Sequence, residues 1–143
     1  MSINAFSDPV YDAIRAYVEA NWTYAPIQWP NEVWDEPPNE PWVKFEIFSA
    51  NYGQQSIGAQ DQEDNRWDHE GHIWFHVMVP RGSGATNARG AAKSLANLFR
   101  GERLLGDQNL EFMDAIIGPG APGDEEGNWT RTSVSVEWRH WEA

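Results

Sequence analysis

The chain has 143 residues, with 22 acidic and 10 basic side chains, a net charge of −12, and no cysteine. That length is one domain's worth, and a domain of this size buries roughly 70% of the surface its unfolded chain exposes. The charge disfavours sequence-reading contact with nucleic acid or an anionic membrane, and the lack of cysteine excludes disulfides, zinc–thiolate sites and thiol catalysis.

The opening MSINAFSDPV has no basic n-region and no apolar h-region, so it does not read as a signal peptide, and no apolar run approaches the ~20 residues of a membrane span. A soluble protein of a reducing cytoplasm is expected. Residues 8–22 read as a helix: Val10, Tyr11, Ile14, Tyr17 and Val18 recur at helical spacing, with Asp12, Arg15 and Glu19 opposite. Ser7 or Asp8 caps it, and Pro9 fits the first turn, where its missing N–H would have had no partner.

Residues 23–30 form a short extended segment that Pro26 confines to a sheet edge. The acidic NEVWDEPPNEP that follows is a loop. In 42–50, Val43, Phe45 and Ile47 alternate with Lys44 and Glu46, the pattern of a half-buried strand. A polar connection with Asp61, Glu63, Asp64, Asp68 and Glu70 leads to a second such strand, 71–80, whose apolar face is Ile73, Phe75, Val77 and Val79. Residues 85–100 predict a second helix with Ala88, Ala91, Ala92, Leu95, Leu98 and Phe99 inward, stopped at Gly101. Strands at 109–118 and 129–141 follow, separated by a Pro/Gly-rich acidic turn that holds Asp124, Glu125 and Glu126.

These elements predict a single compact α+β domain spanning 1–143. Its sheet is expected to be mostly antiparallel or mixed, with four to five strands, and its two helices pack on one face. Nine tryptophans are more than such a core needs, so some are expected in surfaces shared between chains.

Three patterns could carry chemistry. The segment VPRGSGATNARG has the outline of a phosphate loop, but G-x-x-x-x-G-K-[ST] fails because Gly84 and Gly90 are followed by Ala91 and Ala92, with Lys93 too late. G-x-G-x-x-G fails because Asn87 stands at its third glycine. A strand-to-helix turn is the simpler reading, with Gly82 and Gly84 turning the chain and Thr86 or Ser83 as the helix cap. His69, His72, His76 and His140 match no standard metal spacing, and partly buried histidines beside tryptophans account for them. The carboxylates gather in turn-rich loops where solvation is their default state, and no G-x-S-x-G elbow is present. No catalytic residue, cofactor or metal is therefore expected.

The ordered set of INAF…YDAIRAYVEANW, WPNEVWDEPPNEPWVKFEIF, GQQSIG, VPRGSGATNARGAAKSLANLFRGERLLG and a closing W-x-R-T-S-V-S-V resembles the tail terminator-like proteins of long-tailed phages, prophages and gene transfer agents. The resemblance spans nearly the whole chain. It implies a structural virion subunit of the tail and neck, made in the host cytoplasm, that forms a hexameric ring on the finished tail tube. Such a ring stops tail polymerisation and presents the head-joining surface, so the implied partners are further copies, the tail tube protein and a head completion or connector protein. DNA passes through without specific binding. Another neck or head–tail connector component is the nearest alternative, and a tryptophan-based carbohydrate-binding module is an alternative of a different class.

Arg89, Lys93 and Arg100 fall within about 40° of one another at helical spacing, away from the apolar stripe. In so acidic a chain this basic stripe is expected to meet a neighbouring subunit's acidic loop, either Asp61, Glu63 and Asp64 or Asp124, Glu125 and Glu126.

Overall fold

The structure is a computed structural model, and it describes residues 8–54, 67–105, 109–123 and 127–142. Helix α1 spans Pro9–Asn21, and Asp8 caps it by accepting from the backbone N–H groups of Val10 and Tyr11. After the two-residue strand β1 (Ile27–Gln28) come β2 (Trp42–Gln54) and β3 (Trp67–Pro80), then helix α2 (Thr86–Leu98). Strands β4 (Arg103–Leu104), β5 (Leu110–Pro122) and β6 (Trp129–Glu142) complete the described elements.

The six strands lie in the order β1-β2-β3-β6-β5-β4. Strand β1 pairs parallel with β2 at the edge, and every other pairing is antiparallel. This corrects the expected sheet of four to five strands. The fold is sheet-dominated, 48% strand against 23% helix, and its sheet curls into a half-barrel. Two physical reasons account for the difference. Strand β4 is only Arg-Leu, too short to show any alternation. The polarity of 51–54 and 67–70 predicts a connection, yet Tyr52↔His69 and Gly53↔Asp68 pair in the ladder. Ladder bonds use the backbone, which is indifferent to side-chain polarity.

Helix stripes and strand alternation converge on one core. Val10, Ile14 and Val18 of α1, with Ala88, Ala92, Leu95 and the following Phe99 of α2, pack on Val43, Phe45, Phe75, Val77, Val134, Val136 and Trp138. Tyr17 reaches the end of α2, with its ring centroid 5.5 Å from that of Phe99. The core side of β3 carries the odd-numbered residues Ile73, Phe75, Val77 and Val79, so the even-numbered ones point to the helix-free face.

Two glycine requirements shape the sheet and its exit. A Cβ on Gly71 would lie 1.9 Å from the Phe48 carbonyl oxygen, beside the bulge between Ser49 and Asn51, so β2 and β3 can approach there only through glycine. Beyond Pro80, Gly82 and Gly84 have φ of 85° and 86°. The expected cap is absent: Ala85 occupies the N-cap and no side chain bonds to the free amides. Thr86 is already inside the helix, while the Ser83 hydroxyl donates to the Pro80 carbonyl at 2.6 Å.

Candidate surface for assembly

The basic stripe lies where helical spacing puts it. Arg89 and Lys93 are exposed on α2, and Arg100 is exposed in the turn that follows, since the helix ends at Leu98 rather than at residue 100. Lys93 and Arg100 line a groove of about 330 Å³ whose other wall is β5, through Met113, Asp114, Ala115 and Ile117. Arg89 lines an adjoining cleft with Gly120 and Thr130. The acidic residues expected to face this stripe, Asp61, Glu63, Asp64, Asp124, Glu125 and Glu126, lie outside the described residues.

The histidines do not converge. His69 is odd-numbered on β3 and turns toward the side occupied by Trp138, whereas His72 and His76 turn to the helix-free face. His69 pairs in register with His140, contacts Ser49 Oγ through Nε2 at 2.8 Å, and meets Tyr52 edge-on. Among the described residues no group of three or more histidines or carboxylates has metal-binding geometry.

His76 has company that the sequence did not reveal. Its Nδ1 lies 2.6 Å from Ser133 Oγ on β6, its Nε2 lies 3.5 Å from Glu46 Oε1 on β2, and its ring stacks on Trp74. A serine, a histidine and a carboxylate in a row suggest a nucleophile relay. Here they sit in mid-sheet, where the backbone N–H groups run in the sheet plane and pair in the β2–β3 and β3–β6 ladders. No two amides can therefore aim at an oxyanion above Ser133. Burial lowers the His76 pKa, with Glu46 opposing and Arg131 and Lys44 assisting, so the neutral imidazole is the favoured form. The relay is a cross-strand clamp.

The tryptophans also sort by environment. Trp42, Trp129 and Met78 form a small buried cluster on the helix-free face, and Trp34 from the proline-rich loop closes over it. Trp34 and Trp42 lie 5.1 Å apart by ring centroids, and Trp42 meets Trp129 edge-on. Rings buried this way offer no open face for stacking a sugar. The same loop is held to α1 by Arg15, which pairs with Glu32 and lies 4.8 Å from the Trp29 ring centroid. Spacing alone gave no signal for either contact, because both join segments that are distant in sequence.

The described residues make a sheet-dominated α+β fold that exposes a cationic stripe on α2 and in the turn after it. The chain belongs to the phage tail terminator protein family, whose model matches residues 9–138. That family places it among structural proteins of the phage tail and neck. A solved structure is 19% identical over 93% of this chain and 96% of its own and superposes with a TM-score of 0.64, which shows a shared fold. No curated protein matches the chain.

Proposed function

We propose that the chain is the subunit of a ring, a hexamer by family resemblance, that caps the completed tail tube, ends its polymerisation and presents the surface to which the head is joined. The observation that carries this reading is the exposed stripe of Arg89, Lys93 and Arg100 on a protein of net charge −12. Acidic subunits brought together repel one another, and a cationic stripe placed against an acidic loop of the neighbour offsets that repulsion. Asp61, Glu63 and Asp64, or Asp124, Glu125 and Glu126, supply such a loop. The same excess of negative charge lets DNA pass a lumen without adhering.

The reading is tested in the tailed particle that encodes this chain. Particles lacking it should carry tails of uncontrolled length without heads, and the wild-type chain should restore uniform length. Normal tails in its absence would overturn the proposal. Tails of uniform length that lack only heads would instead favour a separate connector role in the neck.

A further inference from the structure

The loop between β1 and β2 projects an apolar side chain into solvent. Val33 is 98% exposed, and Asp35, Glu36 and Glu40 near it are exposed as well. The loop is nonetheless fixed. Turns at Asn31 and Asn39, with φ of 55° and 54°, bracket it, and Pro37 and Pro38 hold the residues before them to extended backbone. Glu32 pairs with Arg15 of α1, and Trp34 packs on Trp42. A segment already held in shape loses little freedom on docking, which favours its use as a contact.

The groove between α2 and β5 has the complementary chemistry. Ala96 and Ile117 line it as partly buried apolar residues, and Met113 and Ala115 stand exposed beside them. Register shifts between Phe112 and Ala115 and between Ile117 and Gly120 bend β5 on either side of this wall. Lys93 and Arg100 set two cations against Asp114. Resting on the ring reading above, we propose that this groove receives loop 31–40 of a second copy, with Val33 on the apolar wall and Asp35 and Glu36 against Lys93 and Arg100. Charge complementarity selects the occupant, because an acidic loop with one projecting apolar side chain meets a cationic groove with apolar walls. Arg89 lies outside this groove, in the adjoining cleft, so the contact takes only the Lys93–Arg100 end of the stripe.

Within one copy the loop is engaged elsewhere. Its anchors are Arg15 of α1 and Trp42 of β2, whereas the groove is walled by α2 and β5, and no loop residue is among the described residues that line it. The loop joins β1 to β2 at one end of the strand order, and β5 lies toward the other end. Each copy therefore offers one loop and one groove on different parts of its surface. A contact between two unlike surfaces is head-to-tail, and it generates a ring when its rotation closes.

The absence of cysteine allows a direct test, and Val33 and Ala115 are both exposed, so cysteine at either leaves the core intact. Differently tagged Val33→Cys and Ala115→Cys chains are mixed and treated with a short bismaleimide, while sedimentation velocity records the assembly state of the same mixture. The expected result is a mixed covalent dimer roughly tenfold above the dimer either variant forms alone. It should be lost when the Ala115→Cys chain also carries Lys93→Glu and Arg100→Glu. It should return when the Val33→Cys chain then carries Asp35→Lys and Glu36→Lys, a rescue that a misfolded variant would not show. A cross-link that the charge reversals leave unchanged overturns the pairing. Assembly that proceeds without a mixed cross-link overturns this contact and leaves the ring reading standing. A mixture that stays monomeric at every concentration, with and without tail tubes, overturns both.

Discussion

The Tyr17 hydroxyl donates to the Leu98 carbonyl at 2.5 Å, which joins α1 to the last turn of α2. That carbonyl belongs to a helix end, where intrahelical donors run out. The phenol therefore serves as a cap supplied from another helix, and its ring packs on Phe99 beside it. Burial, with Glu102 nearby, raises the Tyr17 pKa, so the donor stays protonated at neutral pH.

Tyr17→Phe keeps the ring and removes only the donor. It should cost about 1 kcal/mol, the net contribution of one hydrogen bond whose acceptor is left partly buried. Chemical denaturation should show a lower midpoint at unchanged slope. An unaltered midpoint would mean that solvent satisfies Leu98 equally well.

The His76 clamp makes stability depend on pH. Its folded pKa lies below the ordinary 6.5 chiefly because burial penalises the charged ring. The unfolded chain therefore binds this proton more tightly, and the contribution is complete above 6.5 and declines as pH falls below it. His76→Gln should flatten the decline between pH 6.5 and 5, measured by thermal melts at closely spaced pH. The groups that face His76 (Glu46, Lys44, Arg131 and Ser133) remain in that variant. A decline of the same steepness in the variant would assign it to other groups.

Gly71 and Gly82 should fail differently. Gly71→Ala drives a methyl into the Phe48 carbonyl and should cost about 3 kcal/mol by forcing β2 and β3 apart. At Gly82 nothing lies within 4 Å of an added Cβ, so the cost comes only from φ of 85°. Gly82→Val should therefore cost on the order of 1 kcal/mol or more, and Gly82→Asn less, because asparagine tolerates the left-handed region. ATP or dinucleotides should leave every melting temperature unchanged. A nucleotide-dependent rise would restore the phosphate-loop reading of VPRGSGATNARG.

Much of the fold was legible because burial writes a period into sequence. Val10, Ile14 and Val18 mark α1; Val43, Phe45 and Ile47 mark β2; Ile73 to Val79 mark β3, all without reference to partners. Asp8 and Pro9 announced the helix start through their own local chemistry. The spacing of Arg89, Lys93 and Arg100 set one charged face, and the ordered blocks of sequence carried the family.

Other features depend on which segments meet, and a period is silent about that. Alternation says that a strand has a buried face, but nothing in it says that β6 inserts between β3 and β5. Ladder bonds belong to the backbone common to all residues, so polar Tyr52 and Asp68 joined strands that hydrophobicity had ended early. The placement of His76 between Ser133 and Glu46 follows from the registers of three strands. The basic stripe, set by local spacing, became a candidate surface only when tertiary packing laid α2 beside the stretch of β5 from Met113 to Ile117, because a groove between a helix and a strand is a property of the assembled fold rather than of either segment in it.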